Sequence, residues 1–588
     1  MSLLSGGLLW LSFAPVEFAP AAWLAPVPLG LFFRVRRLPA RSYRAMYAAA
    51  FLWSLITLQW MRLGHVTMYG ALVALSVYVA LYTPIFVAVG RQAVKCGLPV
   101  WLAMPLVWTS LEFIRAYLLT GFSWYYLAHS QYRWTTLVQI SDVTGAYGVS
   151  FLIVLMAGAL TCCIPDAWLA RLRIGSDPEN VRQVSGRSRL TATLVGLSVV
   201  AAACGYGMTR LLPVDAKADG PRIAVVQGNF TPELKHDSQK WSRMWTDHYL
   251  MSRGIKDQQP SLIVWPETMF PEPNVQIDDD VSDAELAGRL QMPGVVSNRD
   301  AADSIIARWR EARGLELLEE LSIETGAALL IGQLTEVHQK AKQLRYNSAS
   351  FLQYGEYVGR YDKIHRVIFG EFIPLKDVFP WLTRLTPFGT GFGIDAGTQP
   401  EVFLHEDVAY APVICFEDTV PQLVRRVASA RHMSGKPVDV LVNLTNDAWF
   451  RGSSELDQHL ITSTFRCIET RRPMVRAVNA GVSAYIDSCG RIRQPEHQFV
   501  VAEDETGVTG EMTPVDSMRD PVTGARWRQK SMVFSSQIPL DGRSSMYLLY
   551  GDWFSLLCVL GTVIAVVVGR YRPAKSHNTT GTSDESAA

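Results

Sequence analysis

The sequence lacks several features that would assign it to common classes of protein. Its 588 residues carry a formal net charge of only +1, so no overall basic field favours nucleic acid as a partner. None of its eight cysteines belongs to a CxxC pair or to a Cys/His cluster with zinc-ligand spacing. No internal repeat of fixed period is visible. These absences argue against a nucleic-acid-binding protein and against a metal site, and no cofactor is expected.

Apolar residues are abundant instead, at 49% of the chain with 17 Trp, which exceeds the usual range of soluble proteins. A bilayer core needs about 20 mostly apolar residues for each helix. Eight segments approach that length, and we place them at 3–15, 19–34, 46–62, 70–90, 98–118, 147–165, 190–212 and 546–569. The first has no basic residues before it and no small-residue cleavage site, so we interpret it as a membrane helix rather than a signal peptide.

Basic residues set the predicted orientation, because Lys and Arg in short loops favour the cytoplasm. They cluster after the second, fourth, sixth and eighth segments. The clusters are Arg34, Arg36, Arg37, Arg41 and Arg44; Arg91 and Lys95; Arg171, Arg173, Arg182, Arg187 and Arg189; and Arg570, Arg572 and Lys575. All four then lie on the cytoplasmic side. We therefore predict a membrane domain over 1–212, an extracytoplasmic domain over 213–545, a last membrane helix over 546–569 and a cytoplasmic tail over 570–588.

The segment 213–545 has the pattern of an α/β domain. Its apolar runs are short and rich in Val and Ile, and helical stretches separate several of them. These runs are RIAVVQGN, SLIVWPET, ALLIGQL, YAPVICFED, VDVLVNLTND and RPMVRAVNAG. Residues 273–303 are acidic and poor in aromatics, so we expect a solvated surface loop there. The tail from Ser576 has the composition of a disordered segment.

Three predicted strand ends each carry one reactive residue: Glu267 in VWPET, Lys363 in RYDKIH and Cys415 in VICFED. Taken singly, each residue is weak evidence for catalysis, since such residues usually lie in a core or on a surface. Together they suit nucleophilic catalysis, because a free thiol is mostly protonated at neutral pH and needs an adjacent base or cation. Glu267 would be that base. Lys363 would face the negative charge that develops on an attacked carbonyl oxygen, where one donor contributes about 10²- to 10³-fold in rate.

Four motifs, WPE, YxKxHxVxFGEFxP, ICFE and NLTNDAWF, resemble those of the nitrilase (carbon-nitrogen hydrolase) superfamily. The resemblance implies an αββα sandwich in which Glu267 is the general base, Lys363 supports the oxyanion and Cys415 is the nucleophile. It also implies that Glu371 and Glu417 lie near the catalytic centre, either as partners of the lysine or in proton transfer. Because side chains alternate along a strand, we expect Glu417 to share a face with Cys415.

Three further residues are candidates for substrate binding. Asn446 and Trp449 lie in the TNDAWF motif, where packing and pocket-shaping roles are both open. His236 follows LK at a position where the family that the membrane half resembles often has an aromatic residue, which helps to position lipid. A contact with donor lipid and an ordinary surface position remain alternatives for His236.

The predicted membrane half narrows the substrate class. The segments LLWLSFAPVEFAPAAWLAPVPL and LEFIRAYLLTGFSWYYLAHSQYRWTTLVQISDVTGAYGVSFL resemble the apolipoprotein N-acyltransferase family. This resemblance implies a bacterial inner-membrane enzyme with its catalytic domain in the periplasm. It further implies that Cys415 takes an acyl chain from a phospholipid, typically phosphatidylethanolamine, and passes it to the α-amine of a diacylglyceryl cysteine on an apolipoprotein.

Two other functions remain open at this point. A membrane-tethered amidase or nitrilase acting on a small envelope amide would use the same three reactive residues. A catalytically inactive scaffold that binds lipoproteins would need none of them. Formation of a covalent acyl adduct from phospholipid separates acyl transfer from both alternatives.

Overall fold

The computed structural model describes residues 1–171, 178–211, 213, 220–231, 241–290, 299–376, 378–385, 393–504, 507–519, 524, 526–528 and 530–571. Within these ranges a helical part comes first, an α/β part follows, and a helix at 553–571 rejoins the helical part. His236 and the tail from Ser576 lie outside the described residues, so the structure does not bear on either expectation.

Helices form the first part of the chain, and prolines explain where several of them begin or break. The predicted segment 19–34 is two short helices and a 3-10 turn rather than one span, since Pro20, Pro26 and Pro28 interrupt it. The helices are α1 Ser2–Ser12, α2 Pro20–Leu24, α3 Val27–Gly30, α4 Ala40–Thr57, α5 Met68–Ala80, α6 Tyr82–Lys95, α7 Val100–Tyr117, α8 Thr135–Val138, α9 Ser141–Thr144, α10 Ala146–Cys163, α11 Asp166–Arg171 and α12 Gly186–Arg210.

Four helices in the described part of the chain are long and apolar enough to cross a membrane: Met68–Lys95, Val100–Thr120, Ala146–Cys163 and Gly186–Arg210. Two shorter apolar helices are Ser2–Ser12 and Trp553–Val567. These helices agree with a membrane domain. The number of seven spans before residue 213 stays a prediction.

The last membrane segment packs against helices from early in the chain. It consists of α19 Met546–Tyr550 and α20 Trp553–Tyr571, which are separated at Gly551, where φ is +63°. In α20, the Thr562 hydroxyl lies 3.0 Å from the Ser110 hydroxyl of α7, and the Phe554 ring contacts Phe151 of α10. The C-terminal helix therefore completes the helical part.

Two β-sheets form the core of the α/β part. Its strands are β1 Arg222–Gln227, β2 Leu262–Trp265, β3 Asn274–Ile277, β4 Ala328–His338, β5 Gln343–Gln353, β6 Glu356–Asp362, β7 Phe403–His405, β8 Val408–Ile414, β9 Val440–Thr445, β10 Met474–Val478, β11 Ala484–Ile486, β12 Ile492–Arg493, β13 His497–Asp504, β14 Gly507–Pro514 and β15 Met532–Gln537. Among the described residues, one sheet has nine strands in the order β14-β13-β15-β1-β2-β4-β5-β6, with β3 paired to β4, and the other has six in the order β12-β11-β10-β9-β8-β7.

The two sheets pack face to face and helices cover their outer faces, which confirms the expected αββα sandwich. Buried residues such as Val225 and Tyr410 fill the space between the sheets. Outside the larger sheet lie α13 Trp241–Gly254 and α16 Glu316–Thr325, and outside the smaller one lie α17 Pro421–Ala428 and α18 Glu455–Thr470. The six predicted apolar runs overlap β1, β2, β4, β8, β9 and β10. Their continuous hydrophobicity is explained by the burial of these strands on both faces.

The prediction of a solvated loop over 273–303 is wrong for the described residues of this segment, 273–290 and 299–303. The segment contains strand β3, which pairs with β4. It also contains α14 Asp283–Leu290, which packs on α15 Arg299–Ala312. Leu286, Leu290 and Ile306 are buried in the small core between these two helices. Of the acidic side chains that suggested a loop, Asp283 and Glu285 lie on the exposed face of α14 and Asp300 and Asp303 on that of α15, whereas residues 278–280 precede α14.

Candidate active site

The predicted catalytic residues stand at the ends of strands that meet at one edge of the sandwich. Glu267 is the second residue after β2, Lys363 directly follows β6, and Cys415 directly follows β8. Asn446 directly follows β9, which is parallel to β8. Residues beyond the carboxyl ends of parallel strands come close together, and the structure does bring these four residues together.

Cys415 occupies a strained turn at the end of β8. Its φ is +57°, in the left-handed region, which costs a non-glycine residue about 1–3 kcal/mol. A 3-10 turn, Cys415–Thr419, begins at this residue, and the Asn443 side chain donates to the Cys415 carbonyl at 2.9 Å. Burial raises the pKa of the Cys415 thiol well above its ordinary value, and Glu267 adds to the shift while Lys363 opposes it. The thiol is therefore protonated at rest and needs a base.

Lys363 is fully buried between two carboxylates. Its Nζ donates to Glu371 Oε1 at 2.7 Å and to Glu267 Oε1 at 3.3 Å. Burial alone would lower the pKa of Lys363, but the neighbouring acidic groups, Cys415, Glu371 and Glu267, raise it well above its ordinary value. The ammonium is thus a fixed positive charge beside the nucleophile.

Glu267 is held by donors on both carboxylate oxygens. Besides Lys363, the Asn347 side chain donates to its Oε1 at 2.7 Å, and the backbone N–H of Asn446 donates to its Oε2 at 3.1 Å. Asn347 also donates to Glu371 at 3.4 Å. Sequence reasoning missed Asn347, which belongs to β5 and has no motif around it; only its register against β4 and β6 brings it to the site.

Glu417 differs from its expected position. Strand β8 ends at Ile414, so Cys415 and Glu417 lie in a turn and do not share a strand face; that expectation is wrong. The Glu417 carboxylate accepts hydrogen bonds from the backbone N–H groups of Ile414, Ile364 and His365 and from the Tyr361 hydroxyl, at 2.7–2.8 Å. It ties the cysteine turn to the chain that follows Lys363. Glu371 contacts the lysine ammonium directly, whereas Glu417 binds the backbone of the two residues that follow the lysine.

Trp449 and Phe450 lie in the turn Asp447–Phe450 that follows Asn446. Trp449 is half-buried, and its predicted role in shaping a pocket stays a prediction. The Phe450 ring contacts the Trp60 ring of the helical part edge-on, with centroids 5.0 Å apart. The membrane half therefore touches the catalytic half beside the site.

Three buried ligand-type side chains, Asp447, Glu455 and His459, have atoms within 4.8 Å of one another. Such a group could in principle hold a metal ion. The two ring nitrogens of His459 face the carboxylates of Asp418 and Asp447, and an Arg476 nitrogen lies 3.8 Å from Asp447. Protein cations already supply the positive charge there, so these residues do not fit a metal.

Two family models match the chain. The Apolipoprotein N-acyltransferase N-terminal domain matches residues 5–159, and the Carbon-nitrogen hydrolase family matches residues 222–501. The first match covers most of the helical part, and the second covers nearly all of the sandwich with Glu267, Lys363 and Cys415.

Curated relatives match over nearly the whole length. A protein named apolipoprotein N-acyltransferase from Geobacter metallireducens is 30% identical over 98% of this chain and 96% of its own. Its namesake from Rhodopirellula baltica is 30% identical over 82% of this chain and 87% of its own. A third protein of that name, from Chlorobaculum tepidum, is 26% identical over 96% of both.

Proposed function

Because the chain belongs to the apolipoprotein N-acyltransferase family, we propose that Cys415, Glu267 and Lys363 carry out its reaction. The enzyme is a bacterial inner-membrane protein that transfers an acyl chain from a phospholipid, through a thioester, to the N-terminal amine of an apolipoprotein. The observation that carries the assignment is the buried Lys363 ammonium, 3.3 Å from Glu267 and 2.7 Å from Glu371, beside the Cys415 turn.

In the first half-reaction, Glu267 accepts the thiol proton as the Cys415 sulfur bonds to the carbonyl carbon of the phospholipid ester. Negative charge develops on the carbonyl oxygen, and Lys363 with the backbone N–H of Phe416 stabilises it. The ester C–O bond then breaks. The glycerol oxygen takes the proton from Glu267 and leaves as a lysophospholipid, so the acyl chain remains on sulfur.

In the second half-reaction, the α-amine of the diacylglyceryl cysteine attacks the thioester carbon and gives up a proton to Glu267. The same oxyanion forms and faces the same Lys363 ammonium. The C–S bond breaks, the sulfur takes the proton back, and the amide product leaves. Attack by the amine must be faster than hydrolysis of the thioester by water, and apolar walls at the membrane surface help to exclude water.

We further propose phosphatidylethanolamine as the acyl donor, for which the family resemblance is the support. Incubating the purified protein with phosphatidylethanolamine, phosphatidylglycerol or diacylglycerol in vesicles and measuring its intact mass tests this. We expect one acyl chain per protein, formed fastest from phosphatidylethanolamine. Faster acylation from phosphatidylglycerol would refute this choice of headgroup without affecting the acyl-enzyme mechanism.

The same family resemblance and the basic loops support a periplasmic catalytic domain. The loops after the second and sixth predicted segments meet in a bridge between Val35 and Val181, and Arg91 bonds to the Val35 carbonyl. These basic loops thus share one side of the helical part. The sandwich begins after Arg210, at the other end of the 25-residue helix α12, about 37 Å away at 1.5 Å per residue.

Reporter fusions test this topology. Alkaline phosphatase joined after Ser544 is expected to be active, because it is active only outside the cytoplasm, whereas a fusion after Arg91 is expected to be inactive. Inactive phosphatase after Ser544, together with an active cytoplasmic reporter at the same position, would contradict a periplasmic domain.

A further inference from the structure

A buried ionic cluster lies beside the cysteine turn, and the reaction steps above do not use it. It consists of Asp418, Asp447, His459 and Arg476, each at most 2% exposed. Asp418 belongs to the turn Cys415–Thr419, and Asp447 to the turn that follows Asn446. The cluster therefore reaches the turn that contains Cys415 and the turn that directly follows Asn446.

His459 joins these two turns directly. Its Nε2 lies 2.8 Å from Asp418 Oδ1, and its Nδ1 lies 3.1 Å from Asp447 Oδ1. Asp418 Oδ2 in turn accepts hydrogen bonds from the Ser463 hydroxyl, at 2.6 Å, and from Arg476. One imidazole ring thus connects the turn of the nucleophile to the turn directly after Asn446, the residue whose backbone N–H binds Glu267.

The charges in the cluster balance when His459 is a cation. Burial would lower the pKa of His459, but Asp418 and Asp447 raise it to about 10, against the opposing charge of Arg476. The neighbouring Glu455, 3.8 Å from Nδ1, has its pKa raised well above its ordinary value by burial and by Asp447, so it is neutral. Two carboxylates then face two cations, and charge-assisted hydrogen bonds of this kind are about twice as strong as neutral ones.

The membrane half covers this histidine. The Trp124 ring lies 5.6 Å from the His459 ring, and Trp60 lies 5.5 Å from Trp124. Trp60 also contacts Phe450, in the same turn as Asp447. Trp124, in the loop after α7, therefore packs on the histidine, and Trp60, in the turn after α4, packs on one of the two turns that the histidine connects.

We propose that His459 is a positioning residue, which fixes the cysteine turn against the turn that holds the base and so aligns the Cys415 sulfur with the Glu267 carboxylate. This inference rests on the proposed roles of Cys415 and Glu267. A misplacement of about 1 Å in such a pair can slow a reaction about 10²-fold. His459 itself touches neither the sulfur nor the substrate in this role.

The test measures the rate at which iodoacetamide alkylates Cys415 between about pH 6 and pH 10, read from the mass of the Cys415 peptide in the full-length protein. We expect His459→Gln to move the midpoint of this profile downward by about one unit, because the Glu267 carboxylate, whose charge raises the pKa of the Cys415 thiol, is no longer held against it. Thioester formation from phosphatidylethanolamine vesicles should slow about 10²-fold, with KM for the lipid changed less than about twofold.

Glu455→Gln is the matched control, since Glu455 lies one turn before His459 on the same helix, is equally buried and is already neutral. Its alkylation profile and acylation rate should overlay those of the wild type. Equal losses in Glu455→Gln and His459→Gln would assign the effect to general packing and overturn the proposal, as would a folded His459→Gln protein with wild-type profile and rate.

Ser463→Ala replaces His459→Gln as the test if that protein does not fold, because it keeps the imidazole and removes only the hydroxyl that donates to Asp418 and accepts from Arg476. It should slow acylation about three- to tenfold, the effect of one or two hydrogen bonds, and no change would overturn the proposal. Failure of the proposed function is a separate result: an acyl adduct that persists in Cys415→Ala refutes the nucleophile, whatever the His459 variants do.

Discussion

The Cys415→Ala protein is expected to carry no acyl chain after incubation with phospholipid. A thioester needs a sulfur at this position, and the alanine side chain offers no nucleophile. Intact mass spectrometry should show the complete loss of the adduct. Transfer to a diacylated lipopeptide should fall to the background rate, since both half-reactions pass through the acyl-enzyme.

Cys467→Ala is the matched control for this loss. Cys467 is a fully buried cysteine of α18, and burial raises the pKa of its thiol well above the ordinary value, as for Cys415. The charged groups that act on its thiol are Asp487, Asp418, Arg466 and Arg476, and it lies within a helix rather than at a strand end. We expect a normal adduct in Cys467→Ala; label on another cysteine in Cys415→Ala would show that the nucleophile is misassigned.

Replacing Lys363 by Met is expected to slow thioester formation and amide formation alike, each by at least about 10²- to 10³-fold. The same oxyanion forms in both half-reactions and loses its charged donor in both. The Glu267 and Glu371 carboxylates, which share Lys363 and Asn347 as donors, would also face each other without a cation. One of them would then retain a proton, which weakens Glu267 as a base.

Two separate measurements check the Lys363 prediction: adduct growth by intact mass, and acylation of a lipopeptide by acyl-enzyme prepared in advance. Lys436→Met is a suitable control, because Lys436 pairs with Asp407 and Asp439 away from the site. If preformed Lys363→Met acyl-enzyme acylates the lipopeptide at the wild-type rate, Lys363 does not stabilise the oxyanion of the second half-reaction. That result would confine the role of the lysine to the first step.

The fold was largely predictable because continuous apolar runs mark strands that are buried on both faces. Six such runs predicted an α/β domain, and the family resemblance carried by the motifs at their ends implied the sandwich. An acidic composition predicted a loop over 273–303 because it indicates exposure, whereas α14 and α15 each expose a charged face and bury an apolar one. The interruption near Pro26 was visible in the sequence, whereas its exact helix ends depend on packing.

The site was predictable to the extent that its residues lie in motifs. Glu267, Lys363, Cys415 and Glu371 come together as expected, but Glu417 required knowledge of where β8 ends. The ionic cluster went unnoticed because α18 has the alternation of polar and apolar residues that is typical of an exposed helix. Every residue of Glu455–Thr470 is nevertheless buried, with its polar face turned toward the helical part and the cysteine turn.

The packing of α20 on α7 and α10 has a consequence for biosynthesis. Ser110 and Phe151 meet partners that the ribosome adds only after the entire sandwich has been translated. The intervening stretch of more than 300 residues takes roughly 20–70 s at ordinary rates of synthesis. During that time α7 and α10 present an unfilled groove to lipid, so the helical part is the first portion of the chain to emerge and the last to be completed.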